Sequence, residues 1–134
     1  MLGDKLGNVT GKVILRRVLA AGPSATRTES TQQGAGSLLG VDFRETSTYE
    51  SEIRPDGTLF GSGQGIYMGS GGEMATWIGQ GVGILTKAGG VTFRGAIYLY
   101  SASAKWQRLN AVASLFEYEV DADGNYKGAF AEWK

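Results

Sequence analysis

The sequence predicts an all-β protein, an antiparallel up-and-down β-barrel of about eight strands. Three observations predict it. Glycine supplies 22 of the 134 residues and proline only 2, against an average glycine share of about 7%. With no collagen period, that excess points to turns, bulges and close backbone approaches. Residues 41–53 alternate without a break: Val41, Phe43, Glu45, Ser47, Tyr49, Ser51 and Ile53 share one face, and the other face is wholly polar, so the first set turns inward. Finally, strand-like segments of roughly ten residues recur between turn clusters, the pattern of hairpin-linked strands. An open sandwich is the alternative arrangement of the same strands.

The elements follow in order. The first strand covers about 9–19, rich in β-branched Val9, Thr10, Val13, Ile14 and Val18, and ends at Ala21-Gly22-Pro23-Ser24. The second covers about 26–33, where Ser and Thr favour strand over helix. Residues 34–40 read as a Gly-rich bend. The third strand, 41–53, meets Pro55-Asp56-Gly57: Pro presets φ for a type I turn, and Gly takes the left-handed position that follows. This register sets Arg54 opposite Thr58, Ser51 opposite Gly61, Tyr49 opposite Gly63, Ser47 opposite Gly65 and Glu45 opposite Tyr67. A tyrosine laid over a facing glycine stabilises a curved sheet. The fourth and fifth strands, about 59–68 and 74–86, carry glycine at every second position (Gly61, Gly63, Gly65; Gly79, Gly81, Gly83). The sixth covers about 91–100, and 101–108 is a longer connection. The seventh, about 109–120, begins ambiguously, because Trp106, Leu109, Ala113 and Phe116 also fit a helical stripe. Asp121-Ala122-Asp123-Gly124 turns into the last strand, about 125–133.

The composition excludes several functions. The length suits one domain, 1–134. Lys and Arg total 13, as do Asp and Glu. A formal charge of zero argues against nucleic acid, which needs a basic stripe, and against docking on an anionic membrane. There is no histidine and no cysteine. Histidine bases, Ser-His and Cys-His pairs and nearly all zinc sites are thereby removed; no metal or cofactor is expected. The first residues show no apolar leader and no window is long enough for a membrane helix, so a cytoplasmic location is the default expectation.

Four residues stand out as a ligand site. Glu45 lies on the inward face near Tyr67; a carboxylate shielded inside a barrel is desolvated, which raises its pKa and suits ligand anchoring or proton transfer. Tyr49, Tyr67 and Trp77 could wall a ligand or simply fill the core. The glycine rows lack the spacing of nucleotide loops; they either leave the lumen empty or admit close packing. Glu117 and Glu119 share a face like a glycosidase pair, but alternate with Phe116, Tyr118 and Val120 and so face water. The Asp121 loop lacks the closing glutamate and helices of an EF-hand. Apolar residues on both faces of the fourth and fifth strands point to a homo-oligomer.

The runs Gly61-Ser62-Gly63-Gln64-Gly65, Glu73 to Gly83, Arg94-Gly95-Ala96-Ile97-Tyr98 and Phe116 to Asp121 resemble a group of small uncharacterised bacterial and archaeal proteins. More distantly, the Gly-alternating strands resemble the calycin-type barrels of allene oxide cyclases and dirigent proteins. That resemblance implies an apolar lumen, often in dimers or trimers, and transfers no catalytic residue. Three functions follow as expectations: a binding module for a small apolar ligand lined by Glu45, Tyr49, Tyr67 and Trp77; an isomerase or cyclase using Glu45 or a tyrosine; or a ligand-free structural protein with a filled lumen.

Overall fold

The computed structural model describes residues 2–134. Eight strands, β1 (Leu2–Gly22), β2 (Ala25–Leu38), β3 (Val41–Ile53), β4 (Leu59–Gly69), β5 (Met74–Leu85), β6 (Val91–Tyr100), β7 (Ala113–Val120) and β8 (Asn125–Trp133), pair in chain order. Every pair is antiparallel, and β1 pairs with β8 to close the barrel.

The Pro55 hairpin fixes the part of the wall that matters most. Arg54 N donates to Thr58 O at 2.8 Å, and Gly57 has φ 86°. Asp56 Oδ1 accepts from Thr58 N at 3.0 Å and from Thr58 Oγ1 at 2.6 Å, locking the turn. The register across it is the one read from the sequence, from Ser51 opposite Gly61 to Glu45 opposite Tyr67.

Three elements differ from the sequence reading. β1 begins at Leu2 and runs to Gly22. Residues 34–38 are strand, not bend, and the chain turns only at Leu39 and Gly40, at φ 49° and 76°. Gly34 and Gly36 belong to the strand because neighbours come too close for a Cβ: the Tyr126 hydroxyl at Gly34 and the Asn8 carbonyl at Gly36. The helical stripe near Leu109 proves to be a short 3₁₀ turn, Gln107–Ala111, and β7 starts only at Ala113.

That turn plugs one end of the barrel. Trp106 and Leu109 are fully buried, beside Leu38, Phe43 and Leu99. Trp106 Nε1 donates to Leu38 O at 2.9 Å. Burying a side chain such as Leu109 contributes about 1.5–3 kcal/mol, enough to fix a one-turn segment that has little intrinsic stability. At the opposite end, β1 outruns its partner: β8 pairs with it only as far as Lys12, and from Val13 to Gly22 it pairs with β2 alone. This arm leaves Ile14, Leu15 and Val18 exposed.

Candidate functional site

Glu45 sits on the inner face of β3, only 4% exposed. Among the described residues no cation reaches it; three neutral donors do. Ser47 Oγ donates to Oε1 at 2.7 Å, Tyr126 Oη to Oε2 at 2.6 Å, and Gln32 Nε2 to Oε2 at 3.2 Å. Behind these donors stand others. Trp77 Nε1 donates to Ser47 Oγ at 3.1 Å, and Tyr118 Oη donates to Gln32 Oε1 at 2.8 Å while lying 3.3 Å from the Tyr49 hydroxyl. The network therefore draws on β2, β3, β5, β7 and β8, and ties the barrel across its lumen.

Two of these donors reach Glu45 and its neighbour by one device. Tyr126 is registered with Gly11, Gly11 with Gly34, and Gly34 with Glu45. A Cβ on either glycine would collide with the Tyr126 hydroxyl; their absence lets a tyrosine on β8 cross two strands to a carboxylate on β3. Likewise Trp77 is registered with Gly65, and Gly65 with Ser47. A Cβ on Gly65 would collide with both the indole nitrogen and the Ser47 hydroxyl. At Gly63 a Cβ would fall 2.8 Å from Tyr49 Cβ and 3.0 Å from Trp77 Cη2. The glycine rows thus seat aromatic rings, and those rings wall the space beside them.

Burial pushes the Glu45 carboxyl above its ordinary value; the bonds from Tyr126, Ser47 and Gln32 oppose that and do not cancel it. The phenols of Tyr67, Tyr118 and Tyr126 are all pushed up, first by burial and then by neighbouring charge or developing charge, with Glu45 acting on each. They remain neutral donors at any physiological pH.

A cavity of about 80 Å³ lies beside this network. Tyr49, Trp77, Phe93, Phe116 and Tyr118 wall it, Tyr67 and Glu45 also line it, and Gly61, Gly63, Gly79 and Gly81 form the β4–β5 side. Exposed Gln80 and Glu117 stand at its margin. The space is several times the roughly 10–15 Å³ one water needs and about half the ~150 Å³ that holds a whole benzene ring in an engineered core.

The four residues singled out from sequence, Glu45, Tyr49, Tyr67 and Trp77, all line this one cavity. Tyr67 differs from the rest. It is 2% exposed and stacks on Phe43 with ring centroids 4.3 Å apart, yet among the described residues its hydroxyl has no part in the hydrogen-bond network. Sequence reasoning missed Gln32, Tyr118 and Tyr126. The last had a signal, since glycines at 11 and 34 inside strands mark a side chain crossing over them; Tyr118 had its place in the alternation that sent Glu117 and Glu119 outward. Those glutamates are exposed and face Arg94 at 3.6 Å and Lys127 at 3.0 Å. Among the described residues no group of three potential metal ligands gathers.

No family model matches this chain. No curated protein matches it either. Solved structures do, at the level of fold. A Clostridium acetobutylicum protein of unknown function superposes with a TM-score of 0.85 at 13% identity, covering 98% of each chain. A β-barrel-like protein from Acinetobacter baumannii gives 0.82 at 10% identity, over 99% of this chain and 96% of that one. An enzyme from Penicillium herquei gives 0.72 at 13% identity, over 97% and 92%. At such identities the likeness establishes the barrel and nothing of its chemistry.

Proposed function

We propose that the lumen receives a small, uncharged, largely apolar molecule carrying one polar atom. The Tyr67 hydroxyl carries this reading. Its ring is buried and lines the cavity, and its hydroxyl takes no part in the bonds that engage Ser47 and Tyr126. A ligand oxygen in the cavity would accept from it, a neutral hydrogen bond of about 0.5–1.5 kcal/mol. The aromatic walls suit an apolar body. Glu45, with no cation beside it, disfavours an anion. The cavity's size admits one end of the molecule, with the remainder outside it. The resemblance of the glycine-alternating strands to calycin-type barrels supports the same reading.

Phenol and benzene, compared by equilibrium titration, test it. Phenol should bind about two- to tenfold more tightly, one neutral hydrogen bond of roughly 0.5–1.5 kcal/mol. Tyr67→Phe should abolish that preference while retaining benzene. Equal binding of both probes by the wild type would remove Tyr67 from the account.

A second reading has its own observation. A carboxyl with a raised pKa in a lumen screened from bulk water suits proton transfer in an isomerase or cyclase, and one fold neighbour is described as an enzyme. Glu45→Gln separates the two: a carrier would bind more weakly, and an enzyme would lose turnover.

A further inference from the structure

We propose that the outer face of β4, β5 and β6 is the contact surface for a second copy of this chain. The registers lay that face out as a grid. Thr76 lies between Ile66 and Tyr100, Ile78 between Gln64 and Tyr98, Gln80 between Ser62 and Ala96, and Val82 between Phe60 and Arg94. Ile78 is 62% exposed, Ile84 57% and Tyr100 65%. Arg94 is the single charge in the grid. The outer face of β3, by contrast, is wholly polar, from Asp42 and Arg44 to Glu50 and Glu52. The apolar surface is thus a patch on one side of the barrel, not the encircling belt a bilayer requires.

The patch is large enough to need a partner. Its eight large apolar side chains are each about half exposed or more, and together they present roughly 800 Å² to solvent, beyond the usual largest patch of a monomer and equal to one partner's share of a standard interface.

Two features favour a copy of the chain itself. The net charge is zero, so two copies do not repel. A two-fold axis lying in the contact plane along the Ser62–Gln80–Ala96 row also brings the face onto its own copy. That operation sets each strand against its own copy and exchanges the positions above and below the row. Ile78 then packs on Val82 of the second copy, and the Arg94 guanidinium lies over the Tyr98 ring of the second copy, a favourable cation–π contact. A depression on this face is lined by Ser62, Gly79, Gln80 and Ala96 together with Ile78 and Tyr98.

Sedimentation of the full chain should give twice its 14.2 kDa. Ile78→Asp should weaken association by about tenfold or more with the far-ultraviolet circular dichroism unchanged, and Leu15→Asp, on the arm, should leave it intact. The chain has no cysteine of its own. Gln80→Cys, on the axis, should therefore be joined to its own copy by a short bismaleimide, and Thr46→Cys, on the polar wall, should not. A monomeric wild type at micromolar concentrations overturns the proposal. So does dissociation by Leu15→Asp in place of Ile78→Asp, or equal cross-linking through Thr46→Cys and Gln80→Cys.

Discussion

Replacing Tyr67 by Phe should leave the protein as stable as before, and replacing Tyr126 by Phe should not. The two tyrosines are equally hidden, at 2% and 3% exposure, and each substitution removes one oxygen. Tyr126 donates to Glu45 at 2.6 Å. Losing a hydrogen bond to a charged acceptor costs about 1.5–3 kcal/mol, and Glu45 loses one of its three donors. Tyr67 loses a hydroxyl that no neighbour engages, and Phe keeps the stacking on Phe43. Its stability should stay within about 1 kcal/mol of wild type, because no hydrogen bond is lost. Urea unfolding of the three proteins, followed by near-ultraviolet circular dichroism, measures the difference, expected at about 1.5–3 kcal/mol between the variants. If Tyr67→Phe destabilises as much as Tyr126→Phe, the hydroxyl of Tyr67 has a partner in the folded protein and the proposed ligand contact falls.

Other outcomes follow from the same network. Gly65→Ala forces Trp77 away from Ser47; overpacking of this kind costs about 1–3 kcal/mol, and tryptophan emission should shift to the red, whereas unaltered emission would mean the indole is seated elsewhere. Trp106→Phe removes the indole bond to the Leu38 carbonyl inside the plug and should cost about 0.5–1.5 kcal/mol, read as a lower thermal midpoint; an unchanged midpoint would show that the 3₁₀ turn does not seal the barrel. The pH dependence has a defined sign. Glu45 has a folded pKa above its unfolded value of about 4.3, so between the two values the folded chain holds more protons than the unfolded one. The stability it contributes is full below the unfolded value and is lost as pH rises through the folded one. Glu45→Gln should remove that decline, and parallel pH profiles for the two proteins would contradict it.

The fold was legible in the sequence where local chemistry decides it. Pro55-Asp56-Gly57 fixes one hairpin register, and from that single register Glu45 meets Tyr67 and Tyr49 meets Gly63. The cavity's lining by Glu45, Tyr49, Tyr67 and Trp77 follows from parity along β3, β4 and β5. What escaped was non-local. Tyr126 reaches Glu45 only because β8 pairs with β1, β1 with β2, and β2 with β3; no short window contains that closure. The glycines at 34 and 36 looked like a bend because their strand role depends on atoms far away in the chain. Trp106 and Leu109 gave a helical signal too short to separate a strand start from a 3₁₀ turn, and burial in the plug decided between them.

The chain contains three tryptophans, which makes one titration especially direct. Trp77 lines the cavity, Trp106 is sealed in the plug at the other end, and Trp133 is 60% exposed near the carboxyl terminus. Titrating nitrogen-15-labelled protein with phenol should move the Trp77 indole N–H signal saturably and leave the other two in place. A titration in which Trp77 stays still, or in which all three signals drift together without saturation, would contradict a ligand in the lumen.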